Sequence, residues 1–166
     1  MEARAKLMGH PVHQMLIVFP LGLLGMSVIF DLVYFATDDM VFSVVAYWMM
    51  IAGIVGGLLA APFGLIDWSA IPKGTRAKRV GAMHGMGNVV VLLLFLVSVL
   101  LRDGAEAPPP GSAYLCSFLG LALSLVTAWL GGELVDRLGV GVHDDANLDA
   151  PSSIGHGHHA PVERMR

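Results

Sequence analysis

Three histidines stand at the starts of apolar segments, where their side chains can bind a metal or move protons. His10 and His13 precede a long apolar run in the stretch GHPVHQML, and His84 opens another in MHGMGNVVVLLLF. Imidazole ligates transition metals and haem iron, and its charge changes near neutral pH. Residues three apart share a helical face, so the spacing predicts that His10 and His13 act as a pair.

Further polar residues accompany these histidines along the chain. Asn88 lies one helical turn after His84, where it can orient the imidazole or bond a substrate. Asp67 can supply a carboxylate ligand, or it can cap a helix or pair with Lys73 or Arg76. Glycines around His84 leave room for a close-packed helix or a flat cofactor; they are Gly81, Gly85 and Gly87.

Two more acidic residues fall within or beside apolar segments. Glu133 can act as a carboxylate ligand, or it can pair with Arg137 one turn further on. Asp31 is expected at the opposite end of the molecule, where it can cap a helix or accept protons from a quinol. A His-rich tract near the C-terminus, GHGHHAP, can chelate metal adventitiously.

The composition indicates an integral membrane protein. Of the 166 residues, 55% are hydrophobic and 14% are charged, with a mean hydropathy of +0.70, whereas soluble domains carry about 25% charged residues. The single cysteine, Cys116, excludes an intrachain disulfide, a CxxC zinc site and a cysteine-ligated iron–sulfur cluster. The net charge of −3 gives no indication of a nucleic-acid partner, and no hydrolase or transferase motif is recognised.

Four apolar stretches are long enough to cross a bilayer as helices, which needs about 20 residues each. The predicted fold is therefore an all-α, integral membrane four-helix bundle within residues 12–138. Its spans are predicted at about 12–35, 41–66, 82–101 and 113–135. Residues 1–11 form a cytoplasmic N-terminal segment in this interpretation, and residues 139–166 form a flexible tail containing His156, His158 and His159.

The distribution of basic residues predicts the orientation. An even number of spans puts both termini on one side, and every Lys and Arg except Arg102 falls on that side. Basic residues concentrate on the cytoplasmic side of membrane proteins. Both termini are therefore predicted to be cytoplasmic, with the chain in the bacterial inner membrane and most polar candidates at the cytoplasmic end of the bundle.

Small and polar residues at helical spacing predict which faces pack inward, because small side chains let neighbouring backbones approach. The predicted stripes are His10, His13, Ile17, Pro20 and Asp31 in the first span; Gly53, Gly57, Ala60, Gly64 and Asp67 in the second; His84, Asn88, Val91, Phe95 and Ser98 in the third; and Ser117, Gly120, Ser124, Thr127 and Gly131 in the fourth. Gly56 lies off its stripe and can support packing between protomers of a homo-oligomer.

Four motifs in order resemble the bacterial membrane family catalogued as domain of unknown function 2231. They are GHPVHQMLIVFPLGL, AAPFGLIDWSAIPKGTRAKR, MHGMGNVVVLLLF and GGELVDRLGVGV, within about residues 9–142. The resemblance implies a four-span bundle. Some members are fused to Rieske-type domains, which implies redox chemistry by association. The family pattern marks His10, His13, Asp31, Asp67, His84, Asn88 and Glu133, and it departs from this chain at Gln14, where the family usually has proline.

The leading hypothesis is a small cytochrome-b-like electron-transfer protein. Haem b would lie between helices near the cytoplasmic face, with His84 as one axial ligand and His13 or His10 as the other. Its partners would be the lipid bilayer and a quinone or a separate redox protein.

Two other hypotheses fit the same residues. A non-haem site for zinc or iron would use His10, His13 and His84 with Asp67 or Glu133. Copper is a further alternative because four methionines accompany the histidines, namely Met8, Met15, Met83 and Met86. In the third hypothesis the chain is a non-catalytic scaffold or partner subunit, and its polar residues only join the helices.

Overall fold

A computed structural model describes residues 1–154 and shows the predicted four-helix membrane fold. Four stretches are long and apolar enough to cross a membrane: Val12–Thr37, Met40–Ala70, Arg76–Leu101 and Gly111–Arg137. The helices are α1 (Val12–Leu16), α2 (Val18–Thr37), α3 (Met40–Ala70), α4 (Arg76–Leu101) and α5 (Gly111–Gly132), followed by a π-helical turn, Glu133–Arg137. The three histidines of the predicted C-terminal tract lie outside the described residues.

The first span is interrupted where α1 meets α2. Pro20 has no N–H to donate to the carbonyl of Leu16, so a helical hydrogen bond is missing there. The helix is interrupted at Ile17, the residue after Leu16. The N–H of Ile17 still donates to the carbonyl of His13 at 3.1 Å. The chain therefore crosses as one span, with a short first helix that carries His13.

The N-terminal segment folds into a small hairpin ahead of α1. Strands β1 (Lys6–Leu7) and β2 (His10–Pro11) pair antiparallel. The two residues between them, Met8 and Gly9, have φ values of 50° and 85°, the positive pair that a type I′ hairpin turn requires. His10 is therefore in a strand and not in a helix, so the predicted helical face shared by His10 and His13 is wrong.

The loop between α3 and α4 is shorter than predicted. Helix α3 continues past the expected end at Ile66 to Ala70, and α4 already begins at Arg76. The Thr75 hydroxyl accepts the N–H of Lys78 at 3.1 Å and so caps α4. The Trp68 indole N–H donates to the carbonyl of Lys78 at 3.1 Å, which ties the two helix ends together.

The core confirms the predicted inward stripes of α3, α4 and α5, whereas in the first span the predicted stripe is wrong at His10 and Ile17, which are exposed. Helix α2 packs mainly on α3, and α4 packs mainly on α5. Phe95, Met50 and Val28 are fully buried at the centre. An added Cβ at Gly53 would lie 2.6 Å from a methyl carbon of Leu24, and one at Gly57 would lie 2.7 Å from a methyl carbon of Leu92. An added Cβ at Gly120 would lie 2.8 Å from the ring of Phe95. The glycines therefore set the distance between helices.

Gly56 packs within the chain. An added Cβ there would lie 3.2 Å from the Cβ of Phe19 and 3.3 Å from the Cδ of Pro20. Its missing side chain therefore makes room for the first span.

The close approach at Gly120 gives a stability prediction. We expect Gly120→Ala to lower the free energy of unfolding by about 1–3 kcal/mol, because Phe95 is fully buried and cannot move aside without strain. The matched control is Gly22→Ala, since an added Cβ at Gly22 meets nothing within 4 Å. This control should leave stability unchanged or raise it by about 0.5–1 kcal/mol. Thermal unfolding in detergent, followed by circular dichroism, measures both, and equal effects would contradict the packing argument.

Candidate functional site: an imidazole pair and a buried ion pair

His13 is held by a backbone carbonyl of α3. Its Nδ1 lies 3.0 Å from the carbonyl oxygen of Ala60. A carbonyl oxygen can only accept, so Nδ1 carries the proton and Nε2 of the neutral ring carries the lone pair. Among residues 1–154, Nε2 has no hydrogen-bond partner. An added Cβ at Gly64 would lie 2.8 Å from Cε1 of this ring, so Gly64 makes room for the imidazole.

His84 is held in the same way by α5. Its Nδ1 donates to the carbonyl of Thr127 at 2.9 Å, which again leaves the lone pair on Nε2. The side-chain amide of Asn88 donates to that nitrogen at 3.1 Å. An added Cβ at Gly131 would lie 3.2 Å from Cε1 of the His84 ring, so a glycine again lies beside the imidazole.

Asn88 and Thr127 complete a ring of hydrogen bonds with His84. The Thr127 hydroxyl lies 2.9 Å from the amide oxygen of Asn88 and 3.0 Å from the carbonyl of Ser124, to either of which it can donate its single proton. When it donates to Asn88, each of the three residues donates to the next, His84 to the backbone carbonyl of Thr127 and the other two to side chains. Thr127 is 2% exposed, so this ring joins α4 to α5 inside the bundle.

The structure brings the imidazoles of His13 and His84 together. Their ring centres are 6.4 Å apart, and the ring planes are nearly perpendicular at 86°. The pair lies near the start of the first span and about two turns after the start of α4 at Arg76, and we refer to this end of the bundle as the histidine end. The glycines flanking His84 make room for other residues. An added Cβ at Gly81 would lie 2.7 Å from Trp68, and one at Gly87 would lie 2.5 Å from Thr127. At Gly85 it would meet nothing within 4 Å.

The other predicted ligands are engaged elsewhere. His10 is exposed, and its Nε2 lies 3.1 Å from the hydroxyl of Ser153. Glu133 pairs with Arg76 at 2.6 Å. The sequence suggested Arg137 as its partner, and that pair is not formed. Within residues 1–154, no three His, Cys, Asp or Glu side chains come together in a way that can hold a metal ion.

Asp67 holds the N-terminal segment over the histidine end. One of its carboxylate oxygens accepts the backbone N–H groups of Arg4 at 2.7 Å and of Ala5 at 3.0 Å. The expected roles of Asp67, a helix cap or a partner of Lys73 or Arg76, are therefore wrong, because the N-terminal hairpin folds back onto the end of α3.

The two ends of the described chain meet above the same end of the bundle. The Met1 ammonium donates to the carbonyl of Gly139 at 2.8 Å, and the N–H of Gly141 donates to the carbonyl of Met1 at 2.9 Å. Glu2 contacts His143 at 3.2 Å, and the hydrogen bond from Lys6 holds the pKa of the Glu2 carboxyl below its usual range. That this end faces the cytoplasm stays a prediction.

Asp31 forms a buried ion pair at the opposite end, which we call the Asp31 end. Its two oxygens accept from Arg102 at 3.0 Å and 2.6 Å in a bidentate arrangement. The side chains are 0% and 1% exposed. The expected cap role of Asp31 is therefore wrong, and Arg102 is a residue that the sequence reasoning missed. Its signal was present, since Arg102 is the one basic residue on the side where Asp31 was placed.

Comparison with known proteins gives one match. The model of a family described as "Predicted membrane protein (DUF2231)" matches residues 9–144, which include both imidazoles and the ion pair. No curated protein matches the chain, and no solved structure matches it.

The two hydrogen bonds to Asp67 give a local prediction. We expect Asp67→Ala to release the N-terminal hairpin and to raise amide exchange at residues 4 and 5 by about tenfold or more, because two charge-assisted hydrogen bonds are lost. Hydrogen exchange with mass spectrometry measures this change. The control is Asp136→Ala, an exposed acidic residue at the same end. Equal protection in both variants would contradict the anchoring role.

The ion pair gives a global prediction. Asp31→Asn leaves the Arg102 charge buried without its partner, and we expect it to lower the free energy of unfolding by about 3–5 kcal/mol. The double variant Asp31→Asn, Arg102→Gln removes both charges and should recover most of that loss. Equilibrium unfolding in mixed micelles measures each variant. A double variant no more stable than the single one would contradict this account.

Proposed function

The chain belongs to this family of predicted membrane proteins, and from its two neighbouring imidazoles we propose that it is a small electron-transfer component of the bacterial inner membrane. In this proposal it binds haem b through His13 and His84. The function needs two ligands on different helices, and α1 and α4 supply them. It also needs an electron donor and an acceptor, for which a membrane quinone or a separate redox protein is suitable.

The observation that supports the proposal is the state of the two imidazoles. Each ring is anchored by an Nδ1–H bond to a backbone carbonyl, at 3.0 Å for His13 and 2.9 Å for His84. A bond from Nδ1 to a carbonyl is typical of metal-ligating histidines, because it fixes the tautomer and makes Nε2 more basic. Both Nε2 atoms therefore have the electronic form that a metal requires.

The distance between the ring centres leaves room for one metal ion that both imidazoles would hold. A metal–nitrogen bond of about 2.0–2.1 Å, added to roughly 1.1 Å from ring nitrogen to ring centre, gives about 6.3 Å between the two centres. The observed separation is 6.4 Å. Two imidazoles at a tetrahedral angle would bring the centres to about 5.2 Å. This separation favours haem, which His13 and His84 would hold, over a tetrahedral zinc ion.

Asn88 must leave His84 for that residue to act as a ligand. Its amide donates to the ligating nitrogen at 3.1 Å, and rotation of the Asn88 side chain frees the lone pair while the bond from Nδ1 to Thr127 persists. Haem, when bound, supplies one-electron transfer. The part played by the chain is to fix both rings and to exclude water from the pair.

The non-haem alternative has less support from the geometry. A zinc, iron or copper ion at the pair would find two imidazoles, while Asp67 and Glu133 are engaged by backbone N–H groups and by Arg76. The methionines considered as copper ligands are exposed, with Met83 at 55% and Met86 at 64%. A site of this kind would therefore need ligands from solvent or from another chain.

A second candidate is a non-catalytic helix-joining role. The observation that favours it is the closed hydrogen-bond ring of His84, Asn88 and Thr127, in which the His84 Nε2 lone pair is already used. Interhelical bonds of this kind contribute about 0.6–2 kcal/mol each in a membrane. In that case the ring stabilises the contact between α4 and α5 and no cofactor binds.

A visible spectrum separates these candidates. We expect protein purified after haem-supplemented expression to show a Soret band and a reduced-minus-oxidised difference spectrum. His13→Ala and His84→Ala should each lower the haem content by at least roughly tenfold, because each removes an axial ligand. The control is His10→Ala, which alters an exposed imidazole outside the pair and should leave the haem content unchanged.

Two outcomes would overturn the haem proposal. Colourless protein of native helicity would do so, and so would haem content that His13→Ala and His84→Ala leave unchanged. In the colourless case, stoichiometric metal found by elemental analysis would favour the ion. Loss of thermal stability in Asn88→Leu and Thr127→Val, without metal, would favour the helix-joining role.

A further inference from the structure

Two polar atoms beside the Asp31–Arg102 pair are buried without a partner. They are Nε of Arg102 and the hydroxyl of Tyr114, and neither has a hydrogen-bond partner among residues 1–154. Arg102 is 5% exposed and Tyr114 is 6% exposed. The guanidinium carbon of Arg102 lies 5.5 Å from the centre of the Tyr114 ring, so the two residues are direct neighbours.

Unpaired polar atoms of this kind are unusual in a membrane span. Lipid offers no hydrogen bonds in exchange, so a buried N–H or O–H without a partner is costly. Native structures leave few such groups unpaired, and those that stay unpaired commonly bind a water molecule, an ion or a ligand. Here the two atoms belong to neighbouring residues beside a fully buried ion pair, so one partner lying between these residues would satisfy both.

The chemistry of the surroundings restricts what that partner is. Both orphan groups can donate, so the partner offers an acceptor oxygen. Asp31 neutralises Arg102 through both carboxylate oxygens, so no net charge calls for an anion. Two aromatic rings neighbour the Tyr114 ring: Phe35 is 4.2 Å from it between ring centres, and Phe118 is 6.4 Å from it.

We propose that the Asp31 end carries a binding site for an uncharged, membrane-soluble carbonyl compound, whose oxygen accepts from Arg102 Nε and the Tyr114 hydroxyl. Two sources supply this chemistry in a membrane: the headgroup of a quinone and the ester carbonyl of a phospholipid. Phe35 covers Tyr114 from the lipid side and is 56% exposed. The ligand therefore enters from the bilayer by displacing the Phe35 side chain.

This site is separate from the imidazole pair. His84 lies about two turns inside α4 and Arg102 caps its C-terminal end, 18 residues and about 27 Å apart along the helix axis. Leu24, Val28, Met50, Val91 and Phe95 form the apolar core between them. The inference therefore does not depend on haem binding at the histidine end.

The test uses the full chain in lipid nanodiscs and two probes. A short-chain benzoquinone is titrated by isothermal calorimetry, and phospholipids retained after delipidation are counted by native mass spectrometry. If the ligand is a quinone, we expect saturable quinone binding. If it is a phospholipid, we expect one ester-linked lipid to be retained, and no ether-linked lipid, because an ether-linked lipid has no carbonyl. Tyr114→Phe should weaken the supported interaction by about five- to tenfold, because one hydrogen bond is removed.

The control variant is Tyr47→Phe, a partly buried tyrosine that packs against the apolar core and should leave binding unchanged. Stability without ligand gives a second measurement. If the Tyr114 hydroxyl is unpaired, Tyr114→Phe should leave the melting temperature unchanged or raise it. The proposal is overturned if neither probe binds, or if Tyr114→Phe and Tyr47→Phe bind alike. It is also overturned if Tyr114→Phe lowers the melting temperature without ligand, because that result would show that the hydroxyl already bonds to a permanently bound water.

Discussion

The hydrogen bonds that buried polar groups make inside the bundle control the rest of this structure. Lipid cannot replace a hydrogen bond that the protein fails to make, so each polar side chain inside the spans must reach a partner on another helix or on its own backbone. His13 reaches Ala60 on α3, and His84 reaches Thr127 on α5. These bonds fix the tautomer of both rings, so the requirement of folding in lipid also prepares the atoms that a metal would use.

Small residues make those hydrogen bonds possible. The His13 ring lies where an added Cβ at Gly64 would stand, and the Thr127 methyl lies where one at Gly87 would stand. Glycine in the middle of a helix costs about 0.5–1 kcal/mol relative to alanine. In this bundle that cost is offset by polar contacts and close packing that a larger residue would prevent. The glycine stripes and the histidines are therefore parts of one arrangement.

Features that depend on periodicity can be predicted from the sequence. Features that depend on how the ends of the chain fold back onto the bundle cannot. Hydropathy predicted the four spans, and helical spacing predicted the buried faces of α3, α4 and α5. The hairpin at Met8–Gly9 has a sequence signal of only two residues, so periodicity does not predict it. This hairpin places His10 in a strand and not on the helix that carries His13. Asp67 and Glu133 were given local partners, whereas their observed partners come from the N-terminal segment and from Arg76. Arg102 was used to predict orientation, and its match with Asp31 across the bundle was overlooked.

The separation of the two polar centres bears on what a single chain can do. About 27 Å along α4 lies between them, and the centre of the bundle is filled by Phe95, Met50 and Val28, which are fully buried. Three buried serines, Ser27, Ser98 and Ser117, donate to backbone carbonyls within the bundle, as Ser98 does to the carbonyl of Ala113 at 2.7 Å. Proton transfer needs a chain of groups within hydrogen-bond distance, and this core interrupts it. The apolar core therefore separates the histidine end from the Asp31 end, and a hydrogen-bonded pathway between them would require a rearranged core.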